Sequence, residues 1–178
     1  MTVYIILFRG VGGATQLPVG PLRAALTDAG FENVATYINS GNAVVKSRLR
    51  REKVLDKITK VCREKFGFEK AIYAPTLAEW RELIAANPFP ANTEPGNFLH
   101  AAVLAERPKP ENIKALQALA ANGDQFEVVG DVAYLHTPHG FSKSKLSERF
   151  DKDIGVPNTA RNWNTVLKLE ALAAKANA

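Results

Sequence analysis

The chain has 178 residues, 46% hydrophobic and 23% charged, with 12 Gly and 10 Pro, a near-average globular composition that excludes fibrous and disordered classes and names no activity. A net charge of +5 at pH 7 permits anionic partners without requiring them. The single Cys62 excludes an internal disulfide, and His100, His136 and His139 are too few and scattered for a metal set, so no metal and no cofactor is expected. The first apolar run, Val3 to Phe8, is too short to span a bilayer, and Arg9-Gly10 follows where a signal peptide would continue its apolar core. The expectation is a cytoplasmic chain with no membrane segment.

In chain order, Val3 to Phe8 reads as a buried central strand and Arg9-Gly10-Val11-Gly12-Gly13 breaks it. A helix is predicted from about Pro21 to a glycine stop at Gly30, with Leu22, Ala25, Leu26 and Ala29 on one face. Strands over 34–38 and 43–46 follow, joined at Asn39-Ser40-Gly41-Asn42, where Gly41 and an Asn can take positive φ. A basic helix over 50–66 comes next, with Cys62 on its apolar stripe beside Val54, Ile58 and Val61, then a short strand over 70–74. The order β-α-β-β-α-β is that of a ferredoxin-like sandwich. Thr76 and Glu79 form a capping-box signature for a helix that stops by Asn87-Pro88, and 87–97 is loop-like.

The order then repeats: a strand over 98–104, a helix from about Pro110 to an Asn122-Gly123 stop, a hairpin over 126–137 turning at Gly130-Asp131, and a helix from Ser144. Matching pieces are offset by roughly ninety residues, which suggests internal duplication. The second copy is expected to end in an extra helix over 162–173 in place of a final strand. The fold class is therefore α+β: two ferredoxin-like (β-α-β-β-α) halves with antiparallel or mixed sheets and an extra C-terminal helix. The expected domains are 1–75, a helix and linker over 76–97, and 98–178.

Four segments carry candidate chemistry. In the first loop, Arg9 and Gly10 begin a glycine-rich turn whose N–H groups can cradle an oxyanion. In the hairpin tip, Ser40, Gly41 and Asn42 either bind a ligand or satisfy the turn's own backbone. At one helix start, Lys143, Ser144 and Lys145 place positive charge against a positive helix end, which calls for an anion or an acidic partner. Before the last helix, Arg161, Asn162, Trp163 and Asn164 concentrate planar donors and acceptors. The expectation joins the last two segments in one polar pocket with Arg9 close by.

The runs YIILFRGVGG, LPVGPLRAALTDAGFENVATYINSGNAVVKS, SKSKL and GVPNTARNWNTVLKL together resemble the bacterial family called domain of unknown function 1697, over nearly the whole length. The chain departs from that family's usual opening, which has an isoleucine-asparagine pair after the first glycine, and it carries Val19 where methionine commonly follows leucine-proline. The resemblance implies an α+β fold and the same motif segments, and it supplies no reaction.

The residues themselves admit three functions. One is binding of a small anionic, phosphate- or carboxylate-bearing ligand in a pocket of Arg, Lys, Ser and Asn, with no general base or nucleophile pair to indicate turnover. The second is a structural or protein-interaction scaffold in which the same side chains satisfy buried loops. The third is weak, sequence-indifferent nucleic-acid binding through residues 46–70, which hold ten Lys or Arg against four acids. A solvated helix face with pairs such as Asp56–Lys60 also explains that cluster. A monomer or small homo-oligomer is expected.

Overall fold

β1 (Thr2–Phe8) is apolar on both faces, and every residue from Val3 to Phe8 is buried. A strand of that kind belongs inside a sheet. In the computed structural model, which describes residues 1–39 and 41–178, it pairs antiparallel with β3 (Asn42–Ser47) on one side and β4 (Ile72–Tyr73) on the other. β2 (Glu32–Thr36) extends β3, giving the order β2-β3-β1-β4. Tyr4, Ile6 and Phe8 alternate onto one face. There they meet Leu22 and Leu26 of α1 (Val19–Asp28) and Val54, Ile58 and Cys62 of α2 (Arg51–Phe66) in one core. The Cys62 thiol is fully buried, and burial pushes its pKa up to about 12.

The second half repeats the plan. β5 (Leu99–Leu104) is central between β7 (Val132–His136) and β8 (Asn158–Asn162), with β6 (Gln125–Val129) outside β7, all antiparallel. Ala102, Ala133 and Leu135 face α4 (Pro110–Leu119) and α5 (Lys145–Asp153), which contribute Leu116, Leu146 and Phe150. Both sheets thus have the ferredoxin-like arrangement, the first and third strands central. Two helices complete the chain, α3 (Leu77–Ala85) and α6 (Trp163–Asn177). The chain divides into two compact units, Met1–Glu82 with Lys168–Ala178, and Leu83–Leu167. The strands of one sheet fall within residues 1–75 and those of the other within 98–178.

Several expectations change in detail. The second half does have a final strand, β8, and α6 follows it rather than replacing it. Asn-Thr-Ala-Arg-Asn has no apolar alternation, because β8 is an edge strand held by its backbone pairing with β5. α1 starts at Val19, two residues before Pro21. At the first hairpin the positive-φ residues described are Ile38 and Gly41, not an Asn. On α2 the ion pairs are Lys53–Asp56 and Lys60–Glu64, not Asp56–Lys60. The capping box forms as read: Thr76 Oγ1 accepts from the Glu79 N–H, and the Glu79 carboxylate accepts from the Thr76 N–H.

Candidate functional site

In the first unit, three connections converge at the C-terminal end of β1. The strand order requires it, since β1 ends between the start of β3 and the entry to β4. The Phe8 N–H donates to the Gly41 carbonyl at 2.9 Å, and the Arg9 N–H donates to the Ala71 carbonyl at 3.0 Å. Gly41 has φ +75°, and a Cβ there would come within 2.7 Å of Val11 Cγ2 and 2.9 Å of the Phe8 carbonyl, so the hairpin tip presses directly on the glycine-rich loop. The Asn42 amide donates to the Tyr37 carbonyl at 3.4 Å and closes the same hairpin. Gly41 and Asn42 therefore frame this end rather than offering free groups. Ser40 lies outside the described residues.

Beyond Arg9 the chain turns three times through positive φ, at Gly10 (70°), Gly12 (134°) and Gly13 (57°). Gly12 and Thr15 exchange N–H bonds of 2.7 and 3.0 Å, which fixes the turn. A Cβ at Gly12 or Gly13 would meet no described atom within 4 Å. Lys70 folds over Gly10, with Nζ 3.0 Å from the Gly10 carbonyl. Sequence reasoning missed Lys70 as a site residue, although it directly precedes Ala71, the residue that receives the Arg9 N–H. It was hidden in the basic run 46–70, which includes Glu69 beside it.

The second unit supplies an internal comparison. There the Leu104 N–H donates to the Asp131 carbonyl at 2.9 Å and the Ala105 N–H to the Pro157 carbonyl at 2.8 Å. These two bonds are the counterparts of those made by Phe8 and Arg9. By the same registers, Arg9, Gly10, Gly41 and Lys70 correspond to Ala105, Glu106, Asp131 and Val156. The β5–α4 connection has five residues (105–109), carrying Arg107 and Lys109, against ten (9–18) in the first unit. The hairpin turns in two residues (130–131) against five (37–41).

The segments predicted in the second unit are engaged within the fold. Ser144 caps α5, accepting from the Ser147 N–H at 3.2 Å and donating to Asp124 Oδ2 at 2.6 Å. Asp124 thus places a carboxylate at this helix start, bonded to the Ser144 hydroxyl. Lys143 and Lys145 are exposed on either side. Asn162 Oδ1 accepts from the Thr165 N–H at 3.0 Å and so caps α6. Arg161 Nη1 donates to the Thr159 hydroxyl and the Ala160 carbonyl, both at 2.8 Å, and burial lowers the guanidinium pKa to about 10. Ala160 faces the core beneath α4 and α5, so alternation along β8 puts Arg161 on the opposite sheet face.

Trp163 and Asn164 line a cavity of about 280 Å³ together with Ile84, Asn87, Thr93 and Glu94. Gly96 makes room for Asn164, because a Cβ there would come within 2.9 Å of the amide carbon. The ionisable lining residue is a carboxylate, Glu94, which opposes an anion. At the end of this sheet where β5 pairs with Asn162, His100 stacks on Phe141 at 4.0 Å between centroids, and burial lowers its pKa to about 4. His136 is also lowered, by burial, with Asp124 pulling the other way. Among the described residues no group of three or more His, Cys, Asp or Glu could hold a metal ion, and no helix is long and apolar enough to cross a membrane.

The sequence matches a family model, that of a protein of unknown function (DUF1697), over residues 1–134. The chain belongs to this family. The DUF1697 chain is also similar in structure to the conserved bacterial protein SP0830 from Streptococcus pneumoniae, with a TM-score of 0.76 over 97% of this chain and 98% of that one, at 21% identity. At that identity the likeness speaks for the fold. No curated protein matches the chain.

Proposed function

We propose that the chain binds a small phosphate- or carboxylate-bearing anion at the C-terminal end of β1, with Arg9, Gly10, Gly12, Gly13 and Lys70 as the binding set. What carries this reading is the difference between two topologically equivalent ends. The second unit closes the same end with Ala105, Glu106, Asp131 and Val156, a shorter β5–α4 connection and a two-residue hairpin, so the architecture requires no cation at the positions of Arg9 and Lys70 and no glycine at that of Gly10, although Arg107 and Lys109 follow later in the same loop. Extra loop length beyond what the connection needs is where binding residues concentrate. With the Gly12 N–H bonded to Thr15, the loop backbone at Gly10 and Gly13, both at positive φ, supports an anion-binding turn, Arg9 opens the same loop, and Lys70 adds a point charge over Gly10.

Recognition rather than turnover fits this set, which contains no nucleophile paired with a base. A thermal-denaturation series with inorganic phosphate tests it. Phosphate at about twentyfold its dissociation constant should raise the midpoint by about 4 °C. That shift should vanish in Arg9→Ala and persist in Lys143→Ala and Lys145→Ala.

The second unit supports a structural role for its own polar segments, because Ser144, Arg161 and Asn162 already hold partners in the fold. Nucleic-acid binding by residues 46–70 has less support. Arg51, Lys53 and Lys60 are paired with Glu79, Asp56 and Glu64, and the Lys57 ammonium stands 5.4 Å from the Phe31 ring centre.

A further inference from the structure

The β2–β3 hairpin carries strain that turning the chain does not require. Ile38 has φ +44° and is 49% exposed. A β-branched side chain in the left-handed region is an outlier, because its Cβ crowds the backbone, and glycine or asparagine is the usual occupant. The equivalent hairpin of the second unit turns in two residues with Gly130 at φ +59°. Ile38 is outside the hydrophobic core of its unit, so packing does not account for it. Strain of this kind is held in place by the surrounding structure and clusters at ligand-binding and switch regions.

The position of the tip says which contact. Gly41, in the same tip, presses on Val11, and the Phe8 N–H bonds the Gly41 carbonyl, so Ile38 belongs to a hairpin seated beside the glycine-rich loop. The neighbouring Tyr37 ring already has the Lys168 ammonium 6.0 Å from its centre, which leaves Ile38 as the exposed apolar side chain of the tip. We infer that Ile38 is the apolar contact of the anion site, and that the ligand is an organic anion, a phosphate or carboxylate joined to a ring-sized apolar group, rather than a bare inorganic ion. This rests on the anion site proposed above.

Calorimetric titration of the full chain with inorganic phosphate and with phenyl phosphate tests the inference, since the two probes share the anionic head and differ by the ring. Roughly 60 Å² of apolar contact makes phenyl phosphate about tenfold tighter. Ile38→Gly and Ile38→Asn should remove that advantage, leave inorganic phosphate within about twofold, and raise the melting temperature of the ligand-free chain. Equal affinity for both probes in the native chain, or an advantage that survives both substitutions, overturns the inference while leaving the anion site standing. Binding of neither probe, or binding of both undiminished in Arg9→Ala, overturns the anion site and the inference with it.

Discussion

Arg161 and His100 show how burial sets the behaviour of single residues here. Arg161 spends its guanidinium on the Thr159 hydroxyl and the Ala160 carbonyl. Arg161→Ala should therefore lower stability by about 1–3 kcal/mol in urea titration without any ligand. His100 is held neutral, with its pKa depressed to about 4 from an ordinary 6.5. The unfolded chain takes up a proton below pH 6.5 that the folded chain refuses until about 4. Stability from this group is thus complete above pH 6.5 and falls as pH drops, by about 2 kcal/mol at pH 4.5. His100→Phe, which keeps the ring against Phe141, should flatten that part of the pH profile. From sequence, the buried Cys62 was legible because its helical period with Val54 and Ile58 is local. The engagement of Arg161 was not, because whether a polar side chain meets a ligand or its own backbone depends on which sheet face the strand register gives it.

At the scale of elements, the caps decide where helices begin. Ser144 satisfies an N–H of α5 and anchors Asp124 together. Ser144→Ala should cost about 1–2 kcal/mol in chemical denaturation, and Ser144→Asp should be worse than a simple cap exchange because it sets a second carboxylate against Asp124. The Thr76–Glu79 box was readable from spacing alone, since both partners lie within one turn. β8 was not readable: its five residues look like a polar loop, and only the pairing of Leu104 with Asn158 through His100 with Asn162 makes them a strand. Tertiary pairing overrides weak local propensity at a sheet edge. The boundaries of β1, α2 and β5 came out within one residue because length, apolar content and breakers agreed there.

Taken whole, the molecule uses one architecture twice and elaborates one end of one copy. Duplicated order was visible as a near-constant offset, and the two sheets have the same strand order. What the offset could not reveal is that the Phe8–Gly41 and Arg9–Ala71 bonds have counterparts at Leu104–Asp131 and Ala105–Pro157, the match that isolates Arg9, Gly10 and Lys70 as additions. The most direct test is to titrate the isotopically labelled chain with inorganic phosphate and follow backbone amide resonances, because the second unit's polar segments then serve as a control within one sample. Saturable shifts at Gly10, Gly12 and Gly13, with 143–147 and 161–165 unmoved, are the predicted result. Shifts confined to 143–147 or 161–165, or none at any loop glycine, would contradict it.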